Sequence, residues 1–214
     1  LIALADDTTL DGFIRAQAAR GLAGVEGYRD AGADRLIALA DDTILYGVIR
    51  AQAAEGLAGV EGYRDAGADR LIALADDTTI YGVIRAQAAR GLAGVEGYRD
   101  AGADRLIALA NDTTLDGFIR AQAARGLAGV EGYRDAGADR LIALANDTTL
   151  DGFIRRWAAE ALAEVEGYQD RAAQIFTQLA DDTSFTGPER ATLAGIITTV
   201  RGIIRRLLTN GDVR

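Results

Sequence analysis

The chain has 214 residues, with 32 Asp and Glu against 23 basic residues, all of them Arg, for a net charge of −9. Lys, His, Cys and Met are absent, which excludes a Schiff-base lysine, an imidazole base, a thiol nucleophile, a disulfide and any thiolate or imidazole metal site. The acid excess also argues against a general nucleic-acid binder, whose surface must be basic to meet phosphates.

Internal periodicity governs the reading. LIALA recurs at Leu1, Leu36, Leu71, Leu106 and Leu141, a spacing of 35 residues. The repeat reads LIALADDTTLDGFIRAQAARGLAGVEGYRDAGADR, and residues 1–35 differ from 106–140 only at Asp6 against Asn111. Within one repeat, Thr8–Thr9 is expected to cap a helix from about Leu10 to Val25. Ile14, Ala18, Leu22 and Val25 share one face of that helix at helical spacing. Small Ala16, Ala19 and Ala23 let a neighbouring helix approach closely, and Gly27 breaks the pattern. A second helix is predicted from about Arg29 to Ala40, with Ala33, Leu36, Ile37 and Ala40 on its apolar side. Gly21, Gly24 and Gly32 each cost a helix interior about 0.5–1 kcal/mol. They imply either close backbone packing or a kink. Period-2 alternation is absent, so strands are not expected.

The fifth repeat drifts after Arg155, placing Trp157 where the first has Gln17. Residues 176–214 keep LADDTSFTG at Leu179–Gly187 and then diverge. Pro188 suits the first turn of a helix that is predicted to run to about Thr209, before Asn210–Gly211. Its stripe of Ile196, Ile197, Val200, Ile203, Ile204, Leu207 and Leu208, with Arg201, Arg205 and Arg206 off it, reads as a cap over the stack. It is too short and charged to span a bilayer. The domain plan is therefore residues 1–175, five near-identical helical repeats, followed by 176–214, a divergent sixth repeat as C-terminal cap. A helix pair of this kind cannot bury its apolar side alone, whereas pairs stacked in one dimension can. The expected fold is an all-α, right-handed α-solenoid. Leu1 opens inside a helix without a start or a signal segment, so the chain reads as a fragment of a larger cytoplasmic protein. The apolar edge at Leu1, Ile2 and Leu4 is expected to favour self-association.

The string LIALADD…IRAQAARGLAGV resembles the HEAT-repeat pattern: an apolar helix end, an Asp at the turn, a hydrophobic–Arg pair, then Ala-Ala and Leu. LANDTTLDGFIRRWAAEALAEV in the fifth repeat resembles it more closely. Both look like HEAT-like arrays of actinobacterial proteins, which are sometimes attached to signalling NTPases. The longer turn DDTTLDGF departs from the pattern. GYRDAGADRLIAL is also similar to part of a tetratricopeptide repeat, but the large aromatics and closing Pro of that family are missing. The HEAT resemblance implies a binding and scaffolding family without shared catalytic residues. It further implies a structural ladder of Asp7, Asp42, Asp77, Asp112, Asp147 and Asp182 with Arg15, Arg50, Arg85, Arg120 and Arg155.

Chemistry-bearing patterns fail on inspection. Asp7, Thr9, Asp11 and Gly12 match the opening of a calcium loop, but its closing Glu would be Ala18, and Tyr46 or Tyr81 replaces the third ligand in later repeats. The pairs Asp6–Asp7, Asp41–Asp42 and Asp76–Asp77 recur as a surface turn, without the single special environment a catalytic dyad needs. No enzyme activity, cofactor or metal is expected, and neither nucleic acid nor membrane is an expected partner.

Information lies where the repeats disagree. Asp11, Tyr46, Tyr81, Asp116 and Asp151 are equivalent, as are Phe13, Val48, Val83, Phe118 and Phe153, and Arg20, Glu55, Arg90, Arg125 and Glu160. Such differences fall where packing does not dictate the residue or where a ligand is read. Tyr46 and Tyr81 are candidate anchors for a protein or peptide, and Trp157 is either a hot spot or a core and capping residue. The expected function is a non-catalytic binding scaffold or sensor. The alternative is a structural or engineered repeat module with no ligand of its own.

Overall fold

The computed structural model describes residues 1–182, 185–188, 191–196 and 198–199. From Ile2 to Asp181 these form eleven α-helices, with no strand among the described residues. The first helices of the pairs are α2 (Gly12–Ala23), α4 (Gly47–Ala58), α6 (Gly82–Ala93), α8 (Gly117–Ala128) and α10 (Gly152–Ala163). The others are α1 (Ile2–Asp6), α3 (Arg29–Asp41), α5 (Arg64–Asp76), α7 (Arg99–Asn111), α9 (Arg134–Asn146) and α11 (Gln169–Asp181).

The chain divides into two compact units, Leu1–Leu109 and Ala110–Arg214. In the first, α2, α3, α4 and α5 each pack on the next helix, and α2, α4 and α6 also lie side by side. In the second, α8 to α11 repeat that arrangement, with α8 beside α10 and α9 beside α11. Each unit is thus a stack of helix pairs in the manner of an α-solenoid. Its core is a column of repeated positions: Leu22, Leu36 and Leu39 in the first pair, Leu57, Leu71 and Leu74 in the second, all buried.

Two kinds of glycine make the pair. Gly27, at φ 78°, turns the chain between α2 and α3 in the left-handed region that a Cβ disfavours. Gly32 instead lies inside α3, where a Cβ would stand 2.6 Å from the Cα of Ala23. Close backbone packing is therefore the reason for Gly32, while Gly24 closes α2 as its C-cap without a kink.

The second helix begins at Arg29 as the periodicity predicts and ends one residue later, at Asp41. The first helix departs from expectation. It starts at Gly12, because Thr8, Thr9 and Leu10 form a turn in which the Leu10 N–H donates to the Asp7 carbonyl at 3.1 Å. Asp11, and not Thr8–Thr9, caps the helix. Leu39 is fully buried on α3 where Ile37 was expected, and Ile37 is only half-buried. Ile14 and Val25 are exposed, whereas their equivalents Ile49 and Val60 are buried. The reason for Ile49 is visible: it rests on Gly12 of the preceding repeat, where a Cβ would come within 2.9 Å of it. Ile84 sits on Gly47 and Ile154 on Gly117 in the same way.

Phe185 and Leu193 are buried, and residues 191–196 are helical. Ile197, Val200, Ile203, Ile204, Leu207, Leu208 and the arginines Arg201, Arg205 and Arg206 of the predicted terminal helix lie outside the described residues, as does its end at Asn210–Gly211. Among the described residues no helix is long and apolar enough to cross a membrane.

Candidate functional site

The residues that vary between repeats fall on one surface of the first unit. Residues 1–105 comprise three repeats that differ at five positions, those of Thr9, Leu10, Asp11, Phe13 and Arg20. Phe13, Gln17 and Arg20 follow one another at i+4 and i+3 along α2, so they share a face. Val48, Gln52 and Glu55 repeat that stripe on α4, and Val83, Gln87 and Arg90 on α6. Because α2, α4 and α6 are neighbours, the three stripes lie side by side.

The stripes begin at the helix caps. Asp11 Oδ1 accepts from the Phe13 N–H at 2.8 Å, satisfying one of the free donors of the first turn. Asp116 does the same for Phe118 at 2.7 Å, and Asp151 for Ile154 at 3.0 Å. Tyr46 and Tyr81 hold the same position with almost the same backbone, φ −57° and ψ 138° at Tyr46 against −56° and 141° at Asp11. Their side chains make no capping bond. They stand 80% and 83% exposed. The second repeat goes further. Thr9 donates its N–H and hydroxyl to Asp7, as Thr79 does to Asp77, whereas Ile44 offers Asp42 its N–H alone and is 92% exposed.

At the other end of the stripe stands Glu55, half-buried and leaning over Gly91, where a Cβ would lie 2.8 Å from its Cγ. It accepts no hydrogen bond and forms no ion pair within 4 Å among the described residues. Burial pushes its carboxyl above the ordinary carboxylate range, and the attraction of Arg90 and Arg20 offsets part of that. Glu55 lines a recess of about 510 Å³ with Arg64, Arg90, Glu96 and the C-caps Gly59 and Gly94. Arg64 is held by Glu96 at 2.7 Å.

The second unit places its aromatics differently. Trp157 is half-buried, edge-on to Phe118 at 5.0 Å, with Arg125 6.0 Å from its ring. Arg125 is paired with Glu164 at 2.6 Å, and Arg156 lies over Phe153 while bonding Glu160 at 2.8 Å. Trp157 is therefore packed against its own unit behind a charged fringe.

The turn aspartates and helix arginines mostly serve the backbone. Arg15, Arg50, Arg85, Arg120 and Arg155 each donate Nε to a carbonyl near the end of the preceding helix, those of Ala5, Ala40, Ala75, Ala110 and Ala145. Asp112 and Asp147, like Asp7 and Asp77, accept from the Thr two residues on. Carboxylate and guanidinium meet directly where Arg155 bonds Asp182 at 2.7 Å. At longer range Arg50 draws on Asp77 and Arg120 on Asp147, both of whose carboxyls are held below their ordinary value chiefly by the Thr hydroxyl.

A different ion pair escaped the sequence reading. Arg35 grips Asp6 with two bonds of 2.7 Å, and Arg70–Asp41 and Arg105–Asp76 repeat the bidentate pair. The spacing of 29 residues carries one signal: where the Asp becomes Asn146, the Arg becomes Ile175. Arg140, whose counterpart at that spacing is Asn111, is exposed and makes no ion pair among the described residues.

No protein-family model, no curated protein and no solved structure matches this chain.

Proposed function

We propose that the chain is a HEAT-like repeat array and a non-catalytic binding scaffold, which holds a protein or peptide along the stripes of α2, α4 and α6. The observation that carries the reading is the exchange at Tyr46 and Tyr81. Two helix caps worth about 1 kcal/mol each are given up, and the replacement rings face solvent, making no capping bond and keeping only about a fifth of their surface covered among the described residues. Folding alone does not reward that exchange; a partner that covers the rings does, because exposed aromatics are favoured anchors in interfaces. Ile44 extends the same apolar patch. Trp157, packed on Phe118, acts as a stabilising residue of the second unit. HEAT-like type is favoured over tetratricopeptide type by the Asp turn and the Arg that follows it in each repeat.

The test is selection from a displayed library of 12-residue peptides on the whole chain, followed by binding of the selected peptides to a Tyr46→Asp/Tyr81→Asp variant. The expected result is at least a tenfold loss for most selected peptides. Unchanged binding by the variant, or no enrichment over an empty support, overturns the reading.

A further inference from the structure

The second repeat differs from its neighbours at both ends of the stripe. It carries Ile44 where its neighbours carry Thr and Glu55 where the first, third and fourth repeats carry Arg, and it shares an exposed turn Tyr (Tyr46) with the third. Glu55 is thus a charge reversal inside an otherwise repeated surface. Its carboxylate is partly removed from water and meets no donor among the described residues, a condition that costs free energy unless something supplies the missing hydrogen bonds. One turn back on the same face, Gln52 leaves its Oε1 buried without a hydrogen-bond partner. Two acceptors on one stripe therefore lack donors.

The surroundings favour a cation. The recess is floored by the C-terminal ends of α4 and α6 at Gly59 and Gly94, where the helix dipole carries partial negative charge. Of its two guanidinium groups, Arg64 is already engaged by Glu96, and Arg90, like Arg20 of the preceding repeat, attracts Glu55 without forming an ion pair with it. About 510 Å³ is ample for a guanidinium or ammonium group and part of its stem. Residues 1–109 as a whole carry 17 Asp and Glu against 11 Arg, so the field around the stripe draws positive charge. The exposed faces of Tyr46 and Tyr81 suit cationic side chains as well as apolar ones.

We infer that the segment bound along this stripe is a basic one, which rests apolar side chains against Ile44, Tyr46 and Tyr81 and places an Arg or Lys side chain in the recess beside Glu55. The inference depends on the binding role proposed above and adds the chemistry of the partner. It assigns to Glu55 the part of a specificity residue: it pairs the incoming cation, whereas the Arg found in its place in neighbouring repeats would repel it.

The experiment repeats the peptide selection on three forms of the full chain: the wild type, Glu55→Gln, which keeps the shape, and Glu55→Arg, which restores the residue of the neighbouring repeats. Circular dichroism first confirms that each is folded. Peptides from the wild type are expected to carry Arg or Lys at one recurrent position. They should bind Glu55→Gln at least tenfold more weakly and Glu55→Arg more weakly still. Changing that basic residue to Ser should cost the wild type as much and Glu55→Gln little. Peptides without a basic preference that still require Tyr46 and Tyr81 would sink this inference while leaving the binding role intact. Basic peptides whose affinity ignores Glu55 would also sink it, since attraction to the overall charge would then suffice. Absence of any selected peptide overturns both.

Discussion

Replacing Tyr46 and Tyr81 by Asp puts on α4 and α6 the cap that Asp11 supplies to α2. The backbone needs no adjustment, because Tyr46 and Asp11 differ by only a few degrees in φ and ψ. Each new carboxylate can accept from an N–H of the first turn, worth about 1 kcal/mol. Against this stands the lost contact of each ring. With 80% and 83% exposure, about a fifth of each residue is covered, and full burial of a comparable side chain is worth about 1.5–3 kcal/mol, so the loss is about 0.5 kcal/mol. The net expectation is a gain of about 0.5 kcal/mol per site, or about 1 kcal/mol for the double variant. For a chain of this size that raises the thermal midpoint by about 2–4 °C. Thermal unfolding followed by circular dichroism at 222 nm (a wavelength set by helix absorption) measures it, comparing midpoints because repeat arrays need not unfold in one step. An unchanged or lowered midpoint would mean that the tyrosines contribute to folding, and their presence would then need no partner.

Three further outcomes are expected. Gly67→Ala places a methyl group against the backbone of Ala58 and should destabilise by about 1–3 kcal/mol, whereas Gly59→Ala, with 3.5 Å to its nearest neighbour, should be close to neutral; equal urea midpoints for the two would refute the close-packing account. The carboxyls of Asp7, Asp77 and Asp147 are held low by their Thr partners, so their contribution is present above the ordinary carboxylate pKa and is lost as pH falls through the lowered folded values. Glu55 runs oppositely: its raised value means a cost that is fully present above the folded pKa and disappears below the unfolded one. Glu55→Gln should therefore be more stable than the parent at pH 7, with the gap closing towards pH 4, and a gap independent of pH would contradict this. Finally, Leu1, Ile2, Leu4 and Ile14 present an exposed apolar face; sedimentation should show concentration-dependent association that polar substitutions at Leu1, Ile2 and Leu4 abolish, and identical monomers in both would exclude it.

Much of the helix plan could be read from residue order because it depends on local periodicity. The apolar spacing from Ala33 to Ala40 places α3 within a residue of its observed bounds. The start of α2 was less legible, since DDTTLDG offers several capping side chains within seven residues, and only the Leu10–Asp7 turn decides that Asp11 is the one used. Leu39 displaced Ile37 from the core for a similar reason: the repeat leaves both candidates apolar, and the crossing of neighbouring helices selects between them. At the candidate site, the equivalence of Asp11, Tyr46 and Tyr81 was visible from alignment of the repeats. What residue order concealed was non-local: the grip of Arg35 on Asp6 across 29 residues, and the fit of Glu55 over Gly91 of the next repeat. No spacing rule within a single helix reports a pairing between helices.

The seating of Ile49 on Gly12 and of Ile84 on Gly47 has a genetic consequence. Each repeat offers the same socket to its successor and the same plug to its predecessor. Excising residues 36–70 from the gene would bring Ile84 onto Gly12, restoring the Ile-on-Gly contact that was removed, with Ile80 in place of Leu45 beside it. Unequal recombination between the segments that encode these near-identical repeats can thus lengthen or shorten the array in whole steps of one repeat, without any new interface having to evolve. The same event would delete or duplicate Ile44, Tyr46 and Glu55 as a block, so what the surface recognises can change in one step while the packing between neighbours stays as it was.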